Sequence, residues 1–276
     1  MPGKDILVVI DNAASIARRL APAAALAKRF EARLTGFFAT GLPAATSFGD
    51  LASGAQLVDA FMAAQRDEAV KAEAAFRQEL GRLQMNGDWV SREADITESV
   101  TSVGRLFDLV VLGQAEPGAD SPVPRVLPED VVQGLGRPVL VVPYTGDFTA
   151  FDHVMIAWNG TREAARALHD AMFIIERADA VTVIEVDAPA SADAPPSHLA
   201  ADVVAALKRR GVEAAAEPTT TDGTPVADVI LSRAADLTAD LIVMGAYSHS
   251  RLRELVLGGV SRSFLQEMTV PVLMSH

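Results

Sequence analysis

The sequence contains no cysteine. Disulfides, thiolate catalysis and Cys-ligated zinc are therefore excluded, and the composition fits a reducing compartment. Basic residues are scarce: 24 Lys and Arg face 36 Asp and Glu, for a formal charge of -12. A phosphate backbone needs a net basic footprint, so no nucleic-acid partner is expected. Runs of about 18 apolar residues are missing, so neither a membrane-spanning helix nor a membrane partner is expected. The opening run Ile6-Leu7-Val8-Val9-Ile10 is too short for a signal-peptide core with a cleavage site. The expected location is cytoplasmic.

Several catalytic signatures are missing as well. There is no Gly-x4-Gly-Lys-Ser/Thr phosphate loop, and no Gly-x-Gly-x-x-Gly follows the first strand of either half. A Gly-x-Ser-x-Gly nucleophile elbow does not occur. The five histidines, His153, His169, His198, His249 and His276, show no spacing that suits a metal. No metal site and no catalytic residue is expected from these patterns.

What the chain does have is a repeat. It is 276 residues long, half of them apolar and 22% charged, which suits two domains with packed cores. Ile6-Leu7-Val8-Val9-Ile10-Asp11 opens the first half and Val154-Met155-Ile156-Ala157-Trp158-Asn159 opens the second. An Ala- and Arg-rich helical stretch follows each, Ser15 to Phe30 and Thr161 to Glu176. Asp108-Leu109-Val110-Val111-Leu112-Gly113 then matches Asp240-Leu241-Ile242-Val243-Met244-Gly245, and Pro138-Val139-Leu140-Val141 matches Pro271-Val272-Leu273-Met274. Matched elements in one order mark a tandem duplication. The halves are placed at 1–146 and 151–276, with a join too short to be a free linker, so they should pack together.

Strand-like and helix-like runs alternate. The second half reads as strands 153–158, 181–187, 212–219, 240–245 and 271–275, with helices 161–176, 197–210, 224–237 and 259–267 between them. Continuous apolar strands such as Leu241-Ile242-Val243-Met244 suit parallel strands covered on both faces. The expected fold is α/β, doubly wound in each half, with helices on both sides of an open sheet. In the first half, Leu57, Phe61, Ala72, Phe76, Leu80 and Leu83 recur at helical spacing over about 55–84. That helix either covers the sheet or binds a partner.

In such sheets ligands bind beyond the carboxyl ends of the strands, where strand order reverses. There the second half carries Gly245-Ala246-Tyr247-Ser248 and, after nine further residues, Gly258-Gly259-Val260-Ser261. Glycines let backbone approach a ligand closely, and the helix that Gly258-Gly259 opens offers free N–H groups to a phosphate. His249, Arg251, Arg253 and Arg262 form a local basic cluster opposed only by Glu254. A polyanionic small molecule accounts for it; pairing with acids of the other half is the alternative.

The repeat, the strand-end Asp or Asn, and Gly-x2-Ser-x9-Gly-Gly before Val260-Ser261 together resemble the universal stress protein family. The whole chain resembles a tandem, two-domain member. The resemblance implies a five-stranded parallel sheet of order 3-2-1-4-5 in each half. It also implies an adenine nucleotide (ATP, ADP or AMP, with or without Mg) as ligand. It places Asn159 at the position of a nucleotide-contacting Asp, with Ala157 and Trp158 beside it and Met244 and Gly245 at the neighbouring strand end. Ser248, His249, Arg251, Arg253, Gly258, Gly259, Val260 and Ser261 fall along the phosphate loop. An intrachain pseudo-dimer of the halves through 138–143 and 271–275 is implied too, and a homodimer is left open. Ser248, Gly259 and Asn159 depart from the family's Gly, Ser/Thr and Asp. The first half keeps Asp11, but Glu116, Pro117 and Asp120 replace the loop chemistry, so its site reads as degenerate. The expected function is non-catalytic nucleotide binding in a stress or regulatory role. A slow ATP-hydrolysing or phosphoryl- or adenylyl-transferring enzyme, and a nucleotide-free scaffold, are the alternatives.

Overall fold

The computed structural model describes residues 4–41, 51–115, 126–187, 200–246 and 259–276. In the first half β1 (Asp5–Val9), β2 (Arg33–Thr40), β3 (Asp88–Glu93), β4 (Leu109–Gly113) and β5 (Val139–Val142) alternate with α1 (Ile16–Phe30), α2 (Leu51–Arg82), α3 (Ile96–Gly104) and α4 (Pro128–Leu135). The second half contributes strands β6 (His153–Trp158), β7 (Ala180–Asp187), β8 (Ala215–Thr220), β9 (Leu241–Gly245) and β10 (Val272–Ser275). Its helices are α5 (Arg162–Asp170), α6 (Met172–Ile175), α7 (Ala200–Lys208), α8 (Val226–Asp236) and α9 (Gly259–Glu267). None of the helices among the described residues is long and apolar enough to cross a membrane.

All ten strands join one sheet in the order β3-β2-β1-β4-β5-β10-β9-β6-β7-β8. Each half has the expected order 3-2-1-4-5, and its neighbouring strands run parallel. The halves meet where β5 and β10 pair antiparallel, with Val141 opposite Val272 and Leu140 opposite Leu273. Both strands are buried throughout, as strands covered on two faces must be. Pairing them also removes two apolar edges that would otherwise invite association.

Two boundaries differ from the sequence expectation. The helix expected over 161–176 breaks at Ala171, which closes α5 and opens α6. Four consecutive apolar residues, Met172 to Ile175, cannot share one face at 100° per residue, and the break lets all four bury. The strand expected from 212 starts at Ala215 because Gly211, at φ 81°, turns the end of α7. Val212 N–H then returns to the Leu207 carbonyl at 3.1 Å, closing the helix as a left-handed glycine allows.

The long α2 covers the sheet through Ala72, Phe76 and Leu80, all buried. Phe76 lies 5.3 Å from the ring of Trp89 on β3. Further contacts tie the halves together. Arg29 of α1 pairs with Asp152 at 2.8 Å, and Phe30 meets Phe173 edge-on at 4.9 Å. Arg166 donates to the Gly136 carbonyl at 2.7 Å.

Candidate functional site

Strand order reverses between β6 and β9 in the second half and between β1 and β4 in the first. The carboxyl ends of these pairs open one crevice per half. Because β5 and β10 run antiparallel, the two crevices face opposite ends of the sheet.

In the second half, Ala157 and Trp158 end β6, half-buried against the core, and Ala157 stands opposite Met244 of β9. Asn159 follows, exposed. Its Oδ1 accepts from Thr161 Oγ1 at 2.7 Å and from Thr161 N at 3.3 Å. Thr161 is the N-cap of α5 and accepts from Ala164 N at 3.3 Å. Met244 is buried, and Gly245 ends β9 against the first turn of α5. A Cβ on Gly245 would stand 2.5 Å from Ala164 N, so only glycine allows this approach. Gly259, Val260 and Ser261 form the first turn of α9. The structure thus brings Ala157, Trp158, Asn159, Met244 and Gly245 to one place. Ser248, His249, Arg251, Arg253 and Gly258 lie outside the described residues.

One group here, Glu163, escaped the sequence reading. It lies in the first turn of α5, is 3% exposed and pairs with the exposed Arg162. Burial pushes its carboxyl up. The Arg162 hydrogen bond, its own backbone N–H and the charges of Arg162 and His276 outweigh burial, so it titrates below its ordinary value. His276 Nδ1 lies 3.0 Å from the Ala246 carbonyl oxygen, beside the end of β9. Thr161 followed by an acid in the first helical turn was a readable cap signal; nothing in the pattern indicated that Glu163 turns inward.

The first-half crevice is narrowed from within. Asp11, Asn12, Ser15, Arg18, Arg19 and Gln114 line a pocket of ≈ 30 Å³, room for about two waters. Arg19 lies over Gly113 and is 8% exposed. Its Nη1 donates to the Val9 carbonyl at 2.9 Å, and its Nη2 donates to Asp11 Oδ2 at 2.9 Å. Asn12 Oδ1 accepts from Ser15 N at 2.8 Å, and Glu68 of α2 accepts from Ala13 N at 2.9 Å. Gln65 of α2 grips both the N–H (2.7 Å) and the carbonyl (3.1 Å) of Gly41. The groups that a crevice ligand would engage already have intrachain partners. The signal for Arg19 was its position: three residues after Ile16 and four before Ala23, it falls on the buried stripe of α1. The substituted loop residues Glu116, Pro117 and Asp120 lie outside the described residues.

Fold and crevices define a duplicated, doubly wound α/β protein whose two strand-end crevices have diverged. Residues 150–276 match the model of the universal stress protein family. The second half is therefore similar to the universal stress protein family. A universal stress protein from Archaeoglobus fulgidus DSM 4304 is 17% identical, with 100% of this chain and 99% of that one covered at a TM-score of 0.70. A putative universal stress protein from Pseudomonas aeruginosa UCBPP-PA14 is 17% identical over 99% of this chain and 92% of that one, at 0.57. A functionally unknown protein from Pseudomonas aeruginosa PAO1 is 16% identical over the same shares, at 0.56. These likenesses show a shared fold over the full chain. No curated protein matches the chain in sequence.

Proposed function

We propose that the second half binds one adenine nucleotide per chain in the crevice beyond β6 and β9, as the ligand-dependent part of a stress-response protein. The observation that carries this reading is the contrast between the crevices. In the first, Arg19 pairs with Asp11 and covers Gly113. In the second, Asn159 stays exposed and the first turn of α9 begins with Gly259. The N–H groups of that turn suit an anion through their free donors and the helix dipole. Arg251 and Arg253 supply charge for the phosphates, and a Mg ion accompanies the nucleotide where phosphate charge demands it.

The ligand is held and not turned over. Phosphoryl transfer needs a positioned base. Among the described residues, Glu163 beside the end of β9 is buried in a pair with Arg162, and Asn159 carries an amide that takes up no proton at neutral pH. Binding then acts by favouring one conformation of the second half.

The Gly259→Asp variant tests the site. Asp suits the first turn of a helix, so folding should hold or improve, while its charge opposes the phosphates. Calorimetric titration with ATP, ADP and AMP should show one site in the wild type and at least about tenfold weaker binding in the variant. Two equivalent sites would refute the assignment to one half. Wild-type affinity in the folded variant would leave the first turn of α9 without a ligand role, and a wild type that binds none of the three would leave the chain as a nucleotide-free scaffold.

A further inference from the structure

Gln114 follows β4 in the first half and lines its crevice. It is 4% exposed, and its backbone N–H donates to the Val142 carbonyl at 2.8 Å. The side chain crosses into the other half. Its Nε2 donates to the Leu265 carbonyl at 3.0 Å and to the Gln266 carbonyl at 2.9 Å, both in the last turn of α9. Its Oε1 accepts from Tyr144 N at 3.0 Å. Only one orientation of the amide meets two acceptors and one donor at once, so this network sets the side chain.

The carbonyls at the end of a helix lack intrahelical partners and must find others. On α9 the first half provides them, from a side chain anchored between β4 and β5. The matching position in the second half is Ala246, whose N–H bonds the Ser275 carbonyl as that of Gln114 bonds Val142. Alanine has no amide to send back, so the clamp runs one way, from the first half to α9. Gln114 shares the first-half crevice with Arg19.

We propose that Gln114 is a positioning residue that sets the pose of α9, so that the first half controls the anion-binding turn at Gly259 through the helix body. This inference rests on the reading of the second-half crevice as the nucleotide site. A helix moves as a rod over so short a length, so releasing its carboxyl end shifts its amino end. Two packed units joined by a strand pair, the Arg29–Asp152, Phe30–Phe173 and Arg166–Gly136 contacts and this helix clamp then share a coupling free energy.

The Gln114→Glu variant keeps the size of the side chain and the acceptor for Tyr144 N–H, but its carboxylate has no donor and faces two carbonyl oxygens. In ligand-free full-length protein, α9 amides should lose about tenfold in hydrogen-exchange protection while those of β1 and β4 stay unchanged. The amide NMR signals of Gly259, Val260 and Ser261 should shift. Protonating the new carboxyl restores a donor, so acidification should return the α9 protection factor toward wild type. ATP affinity at neutral pH should fall about three- to tenfold. Gln114→Met, which packs but donates nothing, should reproduce the loss of protection without the pH rescue. Unchanged α9 protection and unchanged Gly259–Ser261 signals in both variants overturn the clamp, whatever the wild type binds. Altered signals with unaltered ATP affinity overturn the control of the site. A wild type that binds no adenine nucleotide refutes the functional reading instead, while the ligand-free arms still decide the clamp.

Discussion

A Cβ on Gly245 would stand 2.5 Å from Ala164 N and 2.6 Å from Glu163 C, both backbone atoms. At the matching Gly113 the obstacle is the guanidinium of Arg19, a side chain held by Asp11 and the Val9 carbonyl. The two halves therefore need glycine at one position for different reasons. Gly245→Ala should destabilise the protein by about 1–3 kcal/mol, as overpacking against rigid backbone does. Gly113→Ala should also destabilise, but in an Arg19→Ala background most of that loss should vanish, leaving a coupling of at least ~1 kcal/mol. Denaturant titrations of the four proteins in the Gly113/Arg19 cycle measure this directly. Additive losses would mean that Arg19 does not rest on Gly113 in solution.

Each half fastens its first strand with an aspartate that precedes its fourth. Asp108 Oδ2 accepts from Lys4 N (2.9 Å) and Asp5 N (3.2 Å), and Asp108 N donates to the Asp5 carbonyl (2.9 Å). Asp240 repeats the device with Asp152 N (2.9 Å), His153 N (3.0 Å) and the His153 carbonyl (3.0 Å). The carboxylate satisfies backbone donors at the strand start that would otherwise lack partners. Burial pushes the Asp240 carboxyl up; the two backbone donors and His153 pull it down, the Asp152 charge adds to the rise, and the balance lies above its ordinary value of 3.8. The folded state thus holds this proton more tightly than the unfolded chain. Its contribution to stability is complete below the unfolded value and is lost as pH rises through the higher folded value. Asn at this position has no such titration. Asp240→Asn should therefore gain on the wild type as pH rises from about 3 to about 6. Urea denaturation across that range checks it, and a stability gap that widens with pH would show that the carboxylate, once ionised, favours the fold.

At the scale of the molecule, the antiparallel β5–β10 pair makes one ten-stranded sheet out of two five-stranded units. The Arg29–Asp152 pair, the Phe30–Phe173 contact and the Gln114 clamp reinforce the join. Such a seam should couple the unfolding of the halves. The outer edges are β3 and β8, and both are mainly polar and exposed; β8 also carries Pro218, which offers no N–H to a further strand. Cutting the seam would expose β5, four buried aliphatic residues with an unpaired ladder. Residues 1–146 expressed alone should therefore self-associate, whereas the full chain has that edge covered. Light scattering on the two proteins at matched concentration distinguishes them. A monomeric, soluble 1–146 would show that β10 is not needed to protect the β5 edge.

The sequence by itself determined the repeat, the alternation of strands and helices and the glycine at the end of β9, while the family resemblance singled out Ala157 to Asn159. Those features are local: apolar runs define parallel strands, and a glycine or small polar residue after them marks a carboxyl end. It also exposed the loss of loop chemistry at Glu116, Pro117 and Asp120. What it could not show were the partners of side chains far apart along the chain. Arg19 falls on the buried stripe of α1, but its partners appear only when the fold brings Val9, Asp11 and Gly113 around it. Gln114 reads as a loop residue until β10 pairs with β5 and carries the end of α9 to within 3.0 Å. Glu163 reads as a first-turn acid until the close approach of β9 turns it inward. Periodicity determines which face of an element is buried; only the tertiary structure decides what a polar group on that face meets, because that partner comes from another part of the chain.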